Sequence, residues 1–205
     1  MKRRTLLLAV TMLALALATF AGATFALFTD SVTVETHLKA GSLNVSLTRT
    51  NLKTKTLNSE GLLETKEYTD DVDFTDETQQ NVFNVDSSTY IVPCSYFDAQ
   101  MLIENKSSVA FNYYVQVVFK TGDLELANQL QITVDLGGND KTTQLVKDGV
   151  TLGSKTAPLG MVKKGASKTF NVIVEFLDLD TNNDAQSKNV QFDLIVHAVQ
   201  ATTSA

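Results

Sequence analysis

Two histidines, His37 and His197, are the first residues to weigh for chemistry, and they stand far apart in a chain of 205 residues. No His-Glu-x-x-His pairing occurs, so the helix-borne zinc site that needs two imidazoles one turn apart is absent. His197 alternates with Ile195 and Val199, which makes it a wall position of a strand. His37 lies in Thr36-His37-Leu38-Lys39, a surface context. A Ser-His-Asp set is compatible with residue order, but no Gly-x-Ser-x-Gly elbow marks a nucleophile. There is no Gly-rich phosphate loop and no Cys-x-x-Cys. No catalytic residue is expected.

Asp178, Asp180, Asn182 and Asp184 place an oxygen at every second position, as a hard cation such as calcium requires. The full EF-hand pattern fails, because Asn183 holds the glycine position and Asn189 the closing glutamate position. Asp and Asn also favour turns for their own conformational reasons, and a turn is the expected role. These four remain the weak calcium candidates; no other metal or cofactor is expected. Asp70, Asp71, Asp73, Asp76 and Glu77 read as a solvated acidic loop. Cys94, the single cysteine, sits in Ile91-Val92-Pro93-Cys94 and reads as a buried, inert thiol.

The elements carrying these residues follow a period of two. Residues 42–48 (SLNVSLT) alternate strictly, the mark of a strand with one buried face. Residues 111–119, 169–177 and 190–199 are rich in aromatic and β-branched side chains. Residues 99–104 and 131–136 predict further strands. Residues 144–146 and 150–152 flank Lys147-Asp148-Gly149, whose Asp-Gly suggests a hairpin. Residues 52–57 and 62–68 predict a peripheral hairpin across Asn58-Ser59-Glu60-Gly61. A short helix is predicted over 123–130. The fold class is all-β: a jelly-roll-like β-sandwich with a short helix and a polar peripheral insertion at 49–98.

Composition agrees with one globular domain: 10 Gly, 2 Pro and 1 Cys exclude collagen-like and disulfide-stapled chains. Lys2, Arg3 and Arg4 are the only charges before Asp30. The body beyond them holds 14 bases against 23 acids, a net −9, where the whole chain carries −6. A body so acidic is not expected to bind nucleic acid, and lower pH or added salt should favour its association. The three bases precede an apolar run at 6–17 and a small-residue stretch ending at Ala26, the layout of a secretory signal. A retained membrane anchor is the alternative, since residues 5–28 are long enough to span a bilayer. Cleavage after Ala26 is expected, giving residues 1–26 as signal, residues 27–205 as one secreted domain, and no stable membrane anchor.

Freed by that cleavage, residues 27–48 carry Leu27, Phe28, Val32, Val34, Leu38, Leu43 and Val45 in a charge-poor stretch. Such a strand can join its own sheet or a neighbour's edge, and the second contact propagates head to tail. Phe28-Thr29-Asp30 followed by Ala40-Gly41-Ser42-Leu43-Asn44-Val45 resembles the opening signature of the TasA/camelysin family. Glu104-Asn105-Lys106-Ser107-Ser108 before an aromatic strand, and the closing strands ending Ala198-Val199-Gln200, are similar to that family as well. The resemblance implies a secreted jelly-roll protein that a dedicated signal peptidase releases and that builds extracellular biofilm-matrix fibres of Gram-positive bacteria. In such a fibre residues 27–45 would be the donor strand and the partner would be another copy of the chain. Camelysin also carries a metallopeptidase label, which is the alternative reading; a monomeric surface adhesin or binding module is the other.

Overall fold

In the computed structural model, which describes residues 27–28, 43–75, 81–85, 91–137, 141–185 and 188–201, two β-sheets face each other across one apolar core. The strands are β1 (Leu27–Phe28), β2 (Val45–Leu57), β3 (Leu63–Tyr68), β4 (Val72–Asp73), β5 (Tyr96–Asn105) and β6 (Phe111–Gly122), then β7 (Leu130–Asp135), β8 (Lys141–Leu145), β9 (Val150–Leu152), β10 (Gly160–Val162), β11 (Ser167–Phe176) and β12 (Asn189–Gln200). A single-turn helix, α1 (Leu124–Ala127), joins β6 to β7. One sheet runs β1-β12-β6-β10 with β9 also on β6; the other runs β3-β2-β5-β11-β7-β8 with β4 also on β2. The β5-β11-β7-β8 and β12-β6-(β9, β10) orders are those of a jelly roll, so the expected all-β sandwich is the observed fold.

Alternation explains the long strands. Along β5 buried and half-buried residues alternate without a break, setting Phe97, Ala99, Met101 and Ile103 into the core. In β6 the same rhythm buries Phe111, Tyr113, Val115 and Val117. In β2 a bulge between Arg49 and Asn51 shifts the phase, so Leu47 and Leu52 both face inward although five residues apart.

The Asp-Gly hairpin expected at 147–149 is not one. β8 pairs with β7 in the larger sheet and β9 with β6 in the smaller, so the chain crosses between sheets there. Val146, fully buried, pins the crossing, and a 3-10 turn at Val146–Asp148 makes the bend. Gly149, at φ 66, lies where a Cβ would stand 2.6 Å from the Val117 carbonyl oxygen, so the crossing needs glycine.

The 49–98 region is peripheral only in part. The β2–β3 hairpin stands at the sheet margin as expected, its turn closed by Asn58 accepting from the Glu60 and Leu62 backbone N–H groups. Phe74, Val82, Phe83, Val85 and Ile91, however, are buried core residues. The Phe83 ring stands 5.9 Å from Phe97 on β5 and 6.0 Å from Phe192 on β12, touching both sheets at once. Buried Arg49 holds this segment down by donating from Nη1 to the Val82 carbonyl at 2.6 Å. Burial lowers its guanidinium below the ordinary value, opposed by Asp70 and Tyr68. Within the supposed acidic loop, hydrogen bonds from Thr75 hold the Asp73 carboxyl below its usual range.

Cys94 is likewise not buried. It is exposed at φ 69 in a turn whose N–H donates to the Phe176 carbonyl at 2.8 Å. Among the described residues no helix is long and apolar enough to cross a membrane.

Phe83→Ala should cost about 3–5 kcal/mol in denaturant unfolding, as for a buried aromatic that leaves a cavity. Leu62→Ser at the exposed hairpin tip should change stability by less than about 0.5 kcal/mol. Because the Asp73 value is depressed in the fold, its contribution is present at neutral pH and fades as pH falls through the carboxylate range. Thr75→Val should move the Asp73 titration, followed by NMR, back upward.

Candidate assembly site

The N-terminal segment meets the body at two described points, and the packing that holds those points defines the site. At one end of the sandwich, called upper here, Leu27 and Phe28 pair in parallel with Asn189 and Val190 at the start of β12. Glycine makes this corner. Gly122 closes β6 at φ 126, where a Cβ would stand 2.4 Å from the Asn189 oxygen and 2.6 Å from the Val190 Cα. The Asp123 N–H donates to the Asn189 carbonyl at 2.8 Å, and the Asn189 N–H donates to the Asp123 carboxylate at 3.1 Å. Lys188 Nζ lies 3.5 Å from the same carboxylate.

The opposite, lower end is tied by one buried amide. Asn105, 2% exposed, donates from Nδ2 to the Val109 and Val162 carbonyls, each at 2.9 Å. Its Oδ1 accepts from the Ser107 N–H at 2.9 Å and the Ser107 hydroxyl at 2.6 Å. Ser107 Oγ in turn accepts from the Asn44 N–H at 3.1 Å, and the Lys106 N–H donates to the Asn44 carbonyl at 2.8 Å. The residue at which the N-terminal segment enters β2 is thus fixed to the β5–β6 turn.

Between these corners runs β12. Phe192, Leu194, Val196 and Ala198 face the core, while His197 on the other face stacks on Tyr114 at 4.2 Å with planes 10° apart. His197 Nε2 lies 3.3 Å from Gln116 Oε1, so this histidine occupies the wall position its alternation predicts. The Asp193 carboxylate, 2% exposed, meets Lys120 Nζ at 2.9 Å beside a bulge in the β6–β12 ladder.

Of the residues expected in a donor strand, Leu27 and Phe28 lie in β1; Val32, Val34 and Leu38 lie outside the described residues, as do Ala26 and His37. Leu43 and Val45 do not belong to a transferable strand. Leu43 packs against the core, and Val45 is a buried core residue paired with Asn105 in the chain's own larger sheet.

The calcium candidates fold as a turn. Asn182 Nδ2 donates to Asp178 Oδ1 at 3.4 Å, and a 3-10 turn spans Asn182–Ala185. Among the described residues no three His, Cys, Asp or Glu side chains gather into a group that could hold a metal ion. Neither Gly122 nor the reach of Asn105 was singled out by spacing; a Gly-Asp pair ending an apolar strand is the one local hint at the upper corner.

These features define a β-sandwich whose N-terminal segment borders the last strand of the smaller sheet. Comparison with known protein families and with curated proteins returns no match. Among solved structures the chain is similar to an uncharacterized β-sandwich protein from Clostridium difficile 630, at 10% identity and a TM-score of 0.23, over 85% of this chain and 96% of that one.

Asn105→Ala removes four hydrogen bonds and leaves buried backbone groups unpaired, so it should cost about 3 kcal/mol in chemical denaturation. Gly122→Ala should both destabilise the fold and raise amide exchange at Asn189 and Val190, read by hydrogen–deuterium exchange, because the two strands must separate to admit the methyl.

Proposed function

We propose that the chain is a secreted, non-catalytic structural protein that assembles into extracellular fibres, the N-terminal segment of one copy completing the smaller sheet of another beside β12. The observation that carries this reading is the β1 pairing: the N-terminal segment takes the margin of β12 through a parallel, two-residue ladder. No hairpin fixes such a ladder, and parallel pairing is the slightly weaker kind per residue. Exchange for the same segment of a neighbour therefore costs few hydrogen bonds.

Length supports the reading too. Fourteen residues separate Phe28 from Leu43. Fully extended they reach roughly 50 Å, against about 40 Å for the length of β12. The same stretch can follow β12 within one chain or bridge to a second. The contact between copies joins two different surfaces, so it is heterologous, the kind that propagates as a fibre when its rotation does not close a ring. Export through a signal ending at Ala26 is part of this proposal, since only cleavage there gives Leu27 a free end. Family resemblance in residues 28–45 and 104–108 points the same way.

Deleting residues 27–38 from the mature protein should abolish fibres in electron microscopy while leaving the far-UV circular dichroism of a β-sandwich. Fibres of normal yield from that variant would overturn the strand-exchange reading. N-terminal sequencing of the secreted protein should begin at Leu27.

A further inference from the structure

We propose that copies of the chain also dock end to end, the 178–180 loop at the upper end of one seating in a lysine-rimmed depression at the lower end of the next. The proposal rests on the assembly reading above and adds a second contact, with a polarity, to it.

The two ends carry opposite charge. Gathered at the upper end are Asp123, Glu125, Glu175, Asp178, Asp180 and Asp184, because β6 ends there, β11 ends there and β12 begins there. Of the bases at that level, Lys188 pairs with Asp123 and Lys120 with Asp193, while Lys55 lies on β2 across β5 from Glu175, so acids outnumber bases there among the described residues. At the lower end the β5–β6 turn brings Lys106, the turn between β10 and β11 brings Lys163 and Lys164, and the start of β11 brings Lys168. Among the described residues, the carboxylates beside these lysines are Glu104, 3.6 Å from Lys106 Nζ and accepting from Ser46, and Asp73, whose charged form Lys106 favours.

Shape follows charge. Glu104, Lys106, Ser107, Lys164, Gly165 and Ala166 line a depression of about 280 Å³ between the two lower turns. The Asn105 amide holds both walls, through Ser107 on one side and the Val162 carbonyl on the other. The projection that matches it is Leu179, 42% exposed between the exposed carboxylates of Asp178 and Asp180. An aliphatic side chain flanked by two anions fits a pocket lined by Lys106 and Lys164 with one carboxylate, Glu104, beside them: the side chain leaves water and the incoming anions approach the lysines.

A body of net −9 repels its copies side by side, but beyond a Debye length of about 10 Å that repulsion is screened. At contact the local charges decide, and the end-on arrangement brings unlike ones together. Since the upper and lower surfaces differ, the contact repeats as an open row. It also sets Asn44, where the N-terminal segment joins one body, over Asn189, where β12 begins in the next.

The test uses the full mature chain at fixed pH and ionic strength, with two charge-reversed variants at exposed positions: Asp178→Lys with Asp180→Lys, and Lys106→Glu with Lys164→Glu. Each variant alone should elongate at least about tenfold more slowly than the parent. An equimolar mixture should recover elongation, because each variant then presents the end its partner needs, and the two should alternate along the fibre. Unfolding midpoints matching the parent's establish that the fold is intact. Normal elongation of either variant alone, a mixture no faster than its components, or a parent chain that does not self-associate in sedimentation would each overturn the proposal. Strand exchange fails separately: fibres from the residue 27–38 deletion remove that reading and leave this one standing, whereas charge reversal without effect does the reverse.

Discussion

Buried between β5 and β6, the Asn105 amide uses both donor hydrogens and its carbonyl oxygen on its surroundings, and the lower end of the molecule is organised by that one side chain. A buried amide leaves no group unpaired without a penalty of about 1–3 kcal/mol, so the turn at 105–109, the end of β10 and the serine that receives Asn44 are held in one geometry. Asn44 is the residue that leads the chain from Leu43 into β2. The place at which the N-terminal segment enters β2 is thus set by the core of the sandwich rather than by the segment itself. Gly122 performs the matching service at the upper end by letting β6 and β12 approach to a distance no side chain permits.

How much of this was legible depended on whether a signal was local. β5, β6, β11 and β12 announce themselves through alternation or β-branched and aromatic runs, because each has one face in the core. The crossing at 146–149 does not, since Asp-Gly specifies a tight turn but not which sheet the next strand joins; the burial of Val146 decides that. Phe74, Val82, Phe83 and Ile91 were hidden among acids and amides, because a chain that dips into the core one or two residues at a time has no period to detect. Cys94 misled in the opposite way: apolar neighbours suggested burial, but it is the exposed corner of a turn between buried Ile91 and buried Ser95. Of the segment expected to act as a donor strand, Leu27 and Phe28 form a strand beside β12, whereas the alternation at Leu43 and Val45 leads into and belongs to the chain's own β2.

Charge placement gives the acidic composition a second meaning. A net −9 spread evenly would only keep copies apart. Sorted by the topology, with the β6–β7 and β11–β12 connections at one end and the β5–β6 and β10–β11 turns at the other, it would oppose lateral clustering and favour the proposed axial approach. The edge strand β3 belongs to the same logic: its Glu64, Lys66 and Glu67 blunt a margin that would otherwise invite pairing.

Strand direction then separates the single chain from the row. Within one chain β1 and β12 both run from the upper end toward the lower, and the pairing is parallel. In copies stacked upper end to lower end, a segment traced back from Asn44 of one body enters the next at Asn189 and follows β12 away from it. Its chain direction is therefore opposite to that of β12. That is the antiparallel sense, which hydrogen-bonds slightly more favourably per residue and is the one a jelly roll built from antiparallel strands calls for at this margin. Exchange between copies would thus replace a parallel two-residue ladder by antiparallel pairing at the same edge, with other residues of the segment meeting Asn189.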